Sequence, residues 1–205
     1  MTWKSGDSLP ARSMINELNI IHLPNNPEYP HREIREKNFL REIEEQGIEN
    51  YRVWDGIFYK DDPIKAISQS HKQIVQWAKD NNLPSVIVAE DDFSFTNKGA
   101  WQYFLKSIPA EYDMFLSHIY WGNYDDTGKV KGTFCALTLY SVHAKFYDKF
   151  LAKSEKEHLD LVMNKAWRHD IRVCLPMVCL QMNGWSDNDK SFKTWDSRNE
   201  VMPKF

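Results

Sequence analysis

A buried strand that ends in three acids is encoded at residues 85–96, which read SVIVAEDDFSFT. The apolar first half is uninterrupted, a pattern typical of an inner strand of a parallel sheet that is buried on both faces. Glu90, Asp91 and Asp92 follow it directly. Because ligands of parallel α/β sheets bind at the carboxyl ends of the strands, these acids are expected at the edge of a site.

The segments before this strand alternate between strand and helix patterns. Apolar runs at 18–23, 50–57 and 84–92 predict strands, and apolar residues at helical spacing predict helices over 32–48 and 61–83. This β-α-β-α-β order with short links predicts an α/β fold, in which a mainly parallel sheet is flanked by helices.

The second half of the sequence is less regular. Helices are predicted at 100–109, 142–154 and 158–170, and strands at 112–121, 132–141 and within 171–181. We expect a single domain over 18–189, between an N-terminal arm at 1–17 and a C-terminal tail at 190–205.

Composition excludes several classes of protein. The 205 residues carry a formal net charge of -3, which argues against a nucleic-acid partner. The three cysteines lack the spacing of a zinc site and fit thiols in a reducing compartment. No apolar run has the length of about 20 residues that spans a bilayer, and the first 14 residues lack the apolar core of a secretory signal.

The three acids need a partner, because crowded carboxylates take up protons unless a cation or an arginine compensates them. Alternation along a strand places Glu90 and Asp92 on one side and Asp91 on the other. Two carboxylates in that arrangement are hard-oxygen ligands for Mg²⁺ or Mn²⁺, and Mg²⁺ often bridges to a diphosphate. The alternative is a solvated loop with a helix-capping Asp.

Several short motifs in order resemble glycosyltransferase family 25, the lipopolysaccharide-type and procollagen galactosyltransferases. The resemblance covers roughly residues 18 to 189, with His22 standing where the family has Asn. The matching positions are Ile21-His22-Leu23, Arg32, Asp55-Gly56, Ser70-His71, Glu90-Asp91-Asp92, the HLD at 158–160 and the QMNGWSDN at 181–188.

The resemblance implies a GT-A-like fold and transfer of a sugar from a nucleotide-sugar donor. It implies Mn²⁺ or Mg²⁺ as cofactor, with Glu90 and Asp92 as metal ligands. Asp160, with Asp187 as the second candidate, is then the expected catalytic base. The expected donor-binding residues are Leu23, Arg32, Asp55, Ser70, His71 and Asp91.

Each of these side chains also has a structural explanation. Asp160 fits the first turn of a helix, where the helix dipole favours an acid. His71 is either a donor ligand or a buried histidine that fixes a helix against the sheet, and Asp55 is either a ligand or a turn cap. Arg32 is either a phosphate ligand or solvated. Trp121 and Trp185 either stack on a sugar or fill the core or rim.

The resemblance implies a metal-dependent, inverting hexosyltransferase. We expect it to move a hexose, with galactose as the first expectation, from a UDP-hexose to a glycan acceptor. Lipopolysaccharide or surface-polysaccharide biosynthesis is the expected setting. A cytoplasmic location is expected, with no transmembrane segment, which leaves open a peripheral association with the membrane. The alternative is a non-catalytic GT-A-derived module that binds a nucleotide-sugar or glycan.

Overall fold

The computed structural model describes residues 16–23, 31–163, 165, 168–186 and 191–194. The strands are β1 Leu18–His22, β2 Tyr51–Asp55, β3 Ser85–Glu90, β4 Phe93–Phe95, β5 Met114–Leu116, β6 Trp121–Tyr124, β7 Val130–Cys135, β8 Leu139–His143, β9 Ile171–Val173, β10 Cys179–Gln181, β11 Gly184–Ser186 and β12 Ser191–Lys193. The helices are α1 His31–Gln46, α2 Pro63–Asp80, α3 Ala100–Ser107, α4 Tyr147–Leu151 and α5 Leu159–Met163, and a 3-10 helix covers Ala144–Phe146.

The central sheet has the strand order β2-β1-β3-β8-β5-β9. β1 pairs in parallel with β2 and β3, and β5 pairs in parallel with β9. β8 runs antiparallel between β3 and β5, so it alone opposes the other strands of this sheet. The predicted α/β class, with a mainly parallel sheet flanked by helices, is confirmed.

The uninterrupted apolar run of β3 is explained by helices on both faces of the sheet. Ile87 and Ala89 pack in the cluster that holds residues of α1 and α3. Val86 and Val88 pack in the opposite cluster, with residues of α2 and α4. Because both of its faces are covered, β3 links the two halves of the core. Burying each of its large aliphatic side chains stabilises the fold by about 1.5–3 kcal/mol.

The alternation predicted for the three acids is wrong, because the strand ends too early. β3 stops at Glu90, and Asp91 and Asp92 form the turn that leads into β4. A turn does not keep the two-residue periodicity of a strand. As a result Asp91 and Asp92 lie together, and Glu90 extends to a different partner.

The predicted strand at 132–141 is two strands in the structure, β7 and β8. Ala136 lies between them with a φ of 146°, a conformation that breaks the extended run and is unusual for any residue except glycine. The predicted strand at 112–121 is likewise divided, into β5 and the start of β6. The helices predicted at 142–154 and 158–170 are shorter, because β8 continues to His143 and α5 ends at Met163.

Most of the predicted arm and tail, at residues 1–15 and 195–205, lies outside the described residues. The domain predicted over 18–189 begins at the first residue of β1. Among the helices that the structure describes, none combines the length and the apolar character needed to cross a membrane.

A tight contact holds the hairpin of β6 and β7 against the sheet. The carbonyl of Gly128, in the turn of the hairpin, accepts a hydrogen bond of 2.8 Å from the backbone N–H of Val173 in β9. Gly128 has a φ of +77°, and a Cβ there would overlap the Val173 carbonyl oxygen. Only glycine therefore allows the hairpin to approach β9 this closely.

We predict that Gly128→Ala lowers the free energy of unfolding by roughly 3 kcal/mol, from the left-handed conformation and the overlap together. Gly99→Ala is the matched control, because Gly99 has a φ of +85° and open space around its Cβ position. It should lose only the conformational part, about 1–2 kcal/mol. Urea unfolding measures both, and equal losses would show that the contact with Val173 carries no cost.

Candidate active site

A cavity of about 390 Å³ lies at the carboxyl ends of β1 and β3. Its walls come from these strand ends, the first half of α2, the link between β7 and β8, and the start of α5. The sequence-predicted residues that it brings together are Leu23, Ser70, His71, Glu90, Asp91, Asp92 and Asp160.

Asp91 is paired at both of its oxygens. Its Oδ2 lies 2.8 Å from His22 Nδ1, and its Oδ1 accepts a hydrogen bond of 2.7 Å from the Arg35 guanidinium. Burial alone would raise the pKa of Asp91, but Arg35 and His22 outweigh it and hold that pKa below its ordinary value. This ionised side chain ties α1 to the ends of β1 and β3.

Asp92 is less completely satisfied. Its Oδ2 accepts a hydrogen bond of 2.8 Å from Gln181 Nε2 and lies 3.2 Å from Arg35. Its Oδ1 is buried with no hydrogen-bond partner among the described residues. Burial raises the pKa of Asp92 well above its ordinary value, and the nearby charges of Glu90 and Asp91 raise it further. Asp92 is thus a carboxyl group with one free oxygen in a site that disfavours negative charge.

Arg35 is the compensating cation for this corner of the site. Its guanidinium contacts both Asp91 and Asp92, and its side chain is 21% exposed at the cavity. Of the two partners that crowded acids can take, a cation or an arginine, the structure contains the arginine. Sequence analysis selected Arg32, one turn earlier on the same helix.

Glu90 extends towards α2 and belongs to a chain of three side chains. Its Oε1 lies 3.2 Å from His71 Nε2, and His71 Nδ1 lies 2.8 Å from the Tyr140 hydroxyl. His71 is 1% exposed and Tyr140 is fully buried. His71 therefore has the structural role that the sequence allowed, because it joins α2 to β8, and it also orients an acid of the cavity. Its role in donor binding stays a prediction.

The hydrogen-bond partners of His71 favour one position for its ring proton. Burial raises the pKa of Tyr140 well above its ordinary value, so the phenol keeps its proton, and His71 Nδ1 is the acceptor within reach. If Tyr140 donates to Nδ1, the imidazole proton is on Nε2 and is donated to the Glu90 carboxylate. Every group in the chain is then satisfied.

A fourth carboxylate of the cavity, Asp160, comes from the first turn of α5. Burial raises the pKa of Asp160, although hydrogen bonds from the Cys135 thiol and from the backbone N–H of Leu161 lower it in part. Leu161 donates over 2.8 Å to Oδ1. A buried carboxylate of raised pKa in a cleft is the kind of group that accepts a proton in catalysis.

Ser70 lines the cavity, but its hydroxyl is already used by the fold. Oγ accepts a hydrogen bond of 2.8 Å from the backbone N–H of Ile57 and donates one of 2.8 Å to the carbonyl of Ala66. Its one proton is therefore committed within the protein. Leu23 joins Ile57 and other apolar residues of the cavity wall.

Two other predicted donor-binding residues are absent from the cavity lining. Arg32 is buried, with its guanidinium 5.5 Å from the centre of the Phe58 ring. Asp55 is exposed at the end of β2, and its backbone carbonyl accepts a hydrogen bond from Gln73. Asp187 lies outside the described residues, as does the side chain of Trp185.

The arrangement suits a divalent ion that arrives with a ligand. Among the described residues, no cluster of three or more His, Cys, Asp or Glu could hold a metal ion. Mg²⁺, however, usually takes one or two protein carboxylates and completes its coordination with phosphate oxygens and water. The unpartnered Asp92 Oδ1 and the Glu90 carboxylate, which both line the cavity, are the groups that could hold such an ion.

The fold recurs among solved structures. A197 from STIV aligns with a TM-score of 0.53 at 10% identity, over 92% of this chain and 96% of that one. HddC from Yersinia pseudotuberculosis, complexed with GMP-PN, aligns with a TM-score of 0.54 at 11% identity, over 80% of this chain and 92% of its own. A glycosyltransferase involved in the glycosylation of the major capsid of PBCV-1 aligns at 0.49 and 10% identity, over 85% of this chain and 96% of that one.

Identities this low show the fold alone, and the two likenesses with TM-scores above 0.5, to A197 and HddC, show that this α/β fold recurs. No protein-family model and no curated protein sequence matches the chain.

We predict that His71 carries its proton on Nε2 and that Tyr140→Phe removes this preference. Because the variant leaves a buried Nδ1 without its donor, its free energy of unfolding should fall by about 1–3 kcal/mol. Long-range ¹H–¹⁵N correlation spectra identify the protonated nitrogen, and urea unfolding measures the stability.

Tyr112→Phe is the matched control for this variant. Tyr112 is another buried tyrosine, and its hydroxyl lies 2.7 Å from Ser141 Oγ. Its loss should lower stability without changing the His71 spectrum. A wild-type spectrum with the proton on Nδ1 would contradict the assigned direction of the chain.

Proposed function

We propose that the protein is a metal-dependent glycosyltransferase that moves a hexose from a nucleotide-sugar to a glycan acceptor. One observation carries the proposal. One cavity at the carboxyl ends of the strands holds an acidic corner with an unpartnered Asp92 oxygen and a separate half-buried carboxylate, Asp160. The first is suited to a metal-bound diphosphate, and the second to a hydroxyl that loses its proton.

The strand-end side of the cavity suits the donor. Leu23, Ile57 and Ile67 form an apolar wall next to the acidic corner, and such a wall fits the flat ring of a nucleobase. Arg35 presents part of its guanidinium to the cavity, where a positive charge favours phosphate oxygens. A UDP-hexose, with galactose as the sugar, is the donor that the sequence resemblance implies.

Asp92, through Oδ1, and Glu90 would hold the Mn²⁺ or Mg²⁺. Bound there, a divalent cation supplies Lewis acidity and neutralises the charge that develops on the departing nucleoside diphosphate. His71, itself in contact with Tyr140, holds Glu90 in place. Arg35 keeps the pKa of Asp91 low, so this side chain stays ionised.

Asp160 would act as the base of an inverting transfer. The acceptor oxygen forms its bond to the anomeric carbon as the bond to the diphosphate breaks, and the hydroxyl proton passes to the Asp160 carboxylate. Burial favours proton uptake by this side chain. The Leu161 N–H donates to the carboxylate over 2.8 Å, which restricts its orientation.

A thermal-unfolding panel tests donor and metal together. We expect UDP-galactose or UDP-glucose to raise Tm only when Mn²⁺ is present, and GDP-mannose to have little effect. At a hundredfold excess over Kd a ligand stabilises by about 2.7 kcal/mol, equivalent to roughly 5–10 °C for a chain of this size. Asp92→Asn should lose the manganese-dependent part. No shift with any nucleotide-sugar would contradict the proposal, and an equal shift in a chelator would contradict its metal dependence.

Asp160→Asn should reduce transfer by about 10²- to 10⁴-fold, because the variant cannot take the proton. Its Tm shift with donor and Mn²⁺ should match that of the wild type. Asp148→Asn is the matched control, because Asp148 is exposed and paired with Lys79 outside the cavity. Release of nucleoside diphosphate measures the rate. Full activity in Asp160→Asn would show that the base is another group, and donor binding without turnover in the wild type would favour a binding module.

A further inference from the structure

Trp121 is the large exposed apolar side chain at the mouth of the cavity. It is the first residue of β6, it lines the cavity, and it is 50% exposed. By contrast, Trp101 is 3% exposed within the core. Half-exposed indole next to buried carboxylates calls for an explanation beyond core packing.

A glycine bulge positions this side chain. The register of β6 against β7 shifts between Trp121 and Asn123. Gly122 has a φ of +136°, and a Cβ there would lie 3.1 Å from Phe134 Cβ and 3.2 Å from the Thr133 carbonyl oxygen. Bulges redirect the side chains beside them and are common next to active sites. The backbone is therefore shaped to place Trp121 at the rim.

Trp121 and the candidate base share Cys135 as a neighbour. Trp121 and Cys135 are direct partners across β6 and β7. Burial raises the pKa of the Cys135 thiol, Asp160 raises it further, and Trp121 lowers it in part. Trp121 thus lines the same cavity as Asp160, while about half of its side chain remains exposed to a ligand.

We propose that Trp121 forms the acceptor subsite, where the indole face stacks on the C–H face of a pyranose ring. A pyranose has an apolar C–H face and a polar edge of hydroxyl groups, and tryptophan likewise combines an apolar face with a polar edge. A sugar stacked on Trp121 has its hydroxyl edge near Asp160, the group proposed to take the proton. The inference rests on the proposed function, since it names the site that the glycan acceptor occupies.

The variants are Trp121→Ala, Trp121→Phe and Tyr124→Ala. Tyr124 is the matched control, because it lies on the same strand and is 41% exposed but does not line the cavity. The probes are methyl β-D-galactopyranoside and methyl β-D-glucopyranoside, and saturation-transfer NMR with a titration gives their affinity. Trp121→Ala should bind them about tenfold more weakly, Trp121→Phe should keep part of the affinity, and Tyr124→Ala should match the wild type.

Equal binding by Trp121→Ala and wild type, or no saturation of either glycoside by the wild type, would overturn the subsite. Release of nucleoside diphosphate from the donor in water tests the transferase function separately. Tyr124→Ala should retain this release, because Tyr124 does not line the cavity. If the wild type releases no nucleoside diphosphate, the transferase function is refuted. The glycoside titration would still decide whether Trp121 binds sugar.

Discussion

The buried ion pairs of Arg35 with Asp91 and Asp92 organise the candidate site. Two neighbouring carboxylates that are 5% and 3% exposed would not remain ionised without a compensating charge. Arg35 supplies it from α1, and His22 adds a hydrogen bond from β1. Removing one partner from such a group typically costs about 3–5 kcal/mol. The same contacts hold α1, β1 and the end of β3 together. They therefore determine both the position of these elements around the cavity and the charge of the acidic residues in it.

One arginine does not neutralise the charge of three acids, and as a result one carboxylate oxygen near it is left without a partner among the described residues. Asp91 uses both oxygens in pairing, and Glu90 lies 3.2 Å from His71 Nε2, whereas Asp92 keeps one oxygen that has no hydrogen-bond partner within the part of the chain that the structure describes. The protein can relieve that oxygen by proton uptake or by a bound cation. A cation that brings its own phosphate ligands relieves it without a third protein carboxylate. In the proposed function, a metal ion would therefore complement Arg35 at this site.

The sequence predicted the first half of the fold because each element there has a simple period and short links. The run before Glu90 and the helical spacing in 61–83 both depend on near neighbours in the chain. The error at 132–141 has a local cause, because an apolar run does not reveal that Ala136 takes a φ of 146°. Ile34 and Leu40 fit the predicted apolar face of α1 but are 62% and 42% exposed. Only the tertiary packing determines which residues of that helix face the sheet.

The candidate site also depends on tertiary contacts that the sequence does not reveal. Glu90, Asp92 and Asp160 could be selected because strand ends and motif positions identify them, but Arg35, Tyr140 and Cys135 carry no such signal. They act through partners far along the chain, and the antiparallel insertion of β8 is what places Tyr140 against His71. The sequence analysis therefore selected three carboxylates that line the cavity and missed the three residues around them. Since orientation decides whether a carboxylate binds a metal, accepts a proton or only stabilises the fold, assigning roles to these acids required the structure.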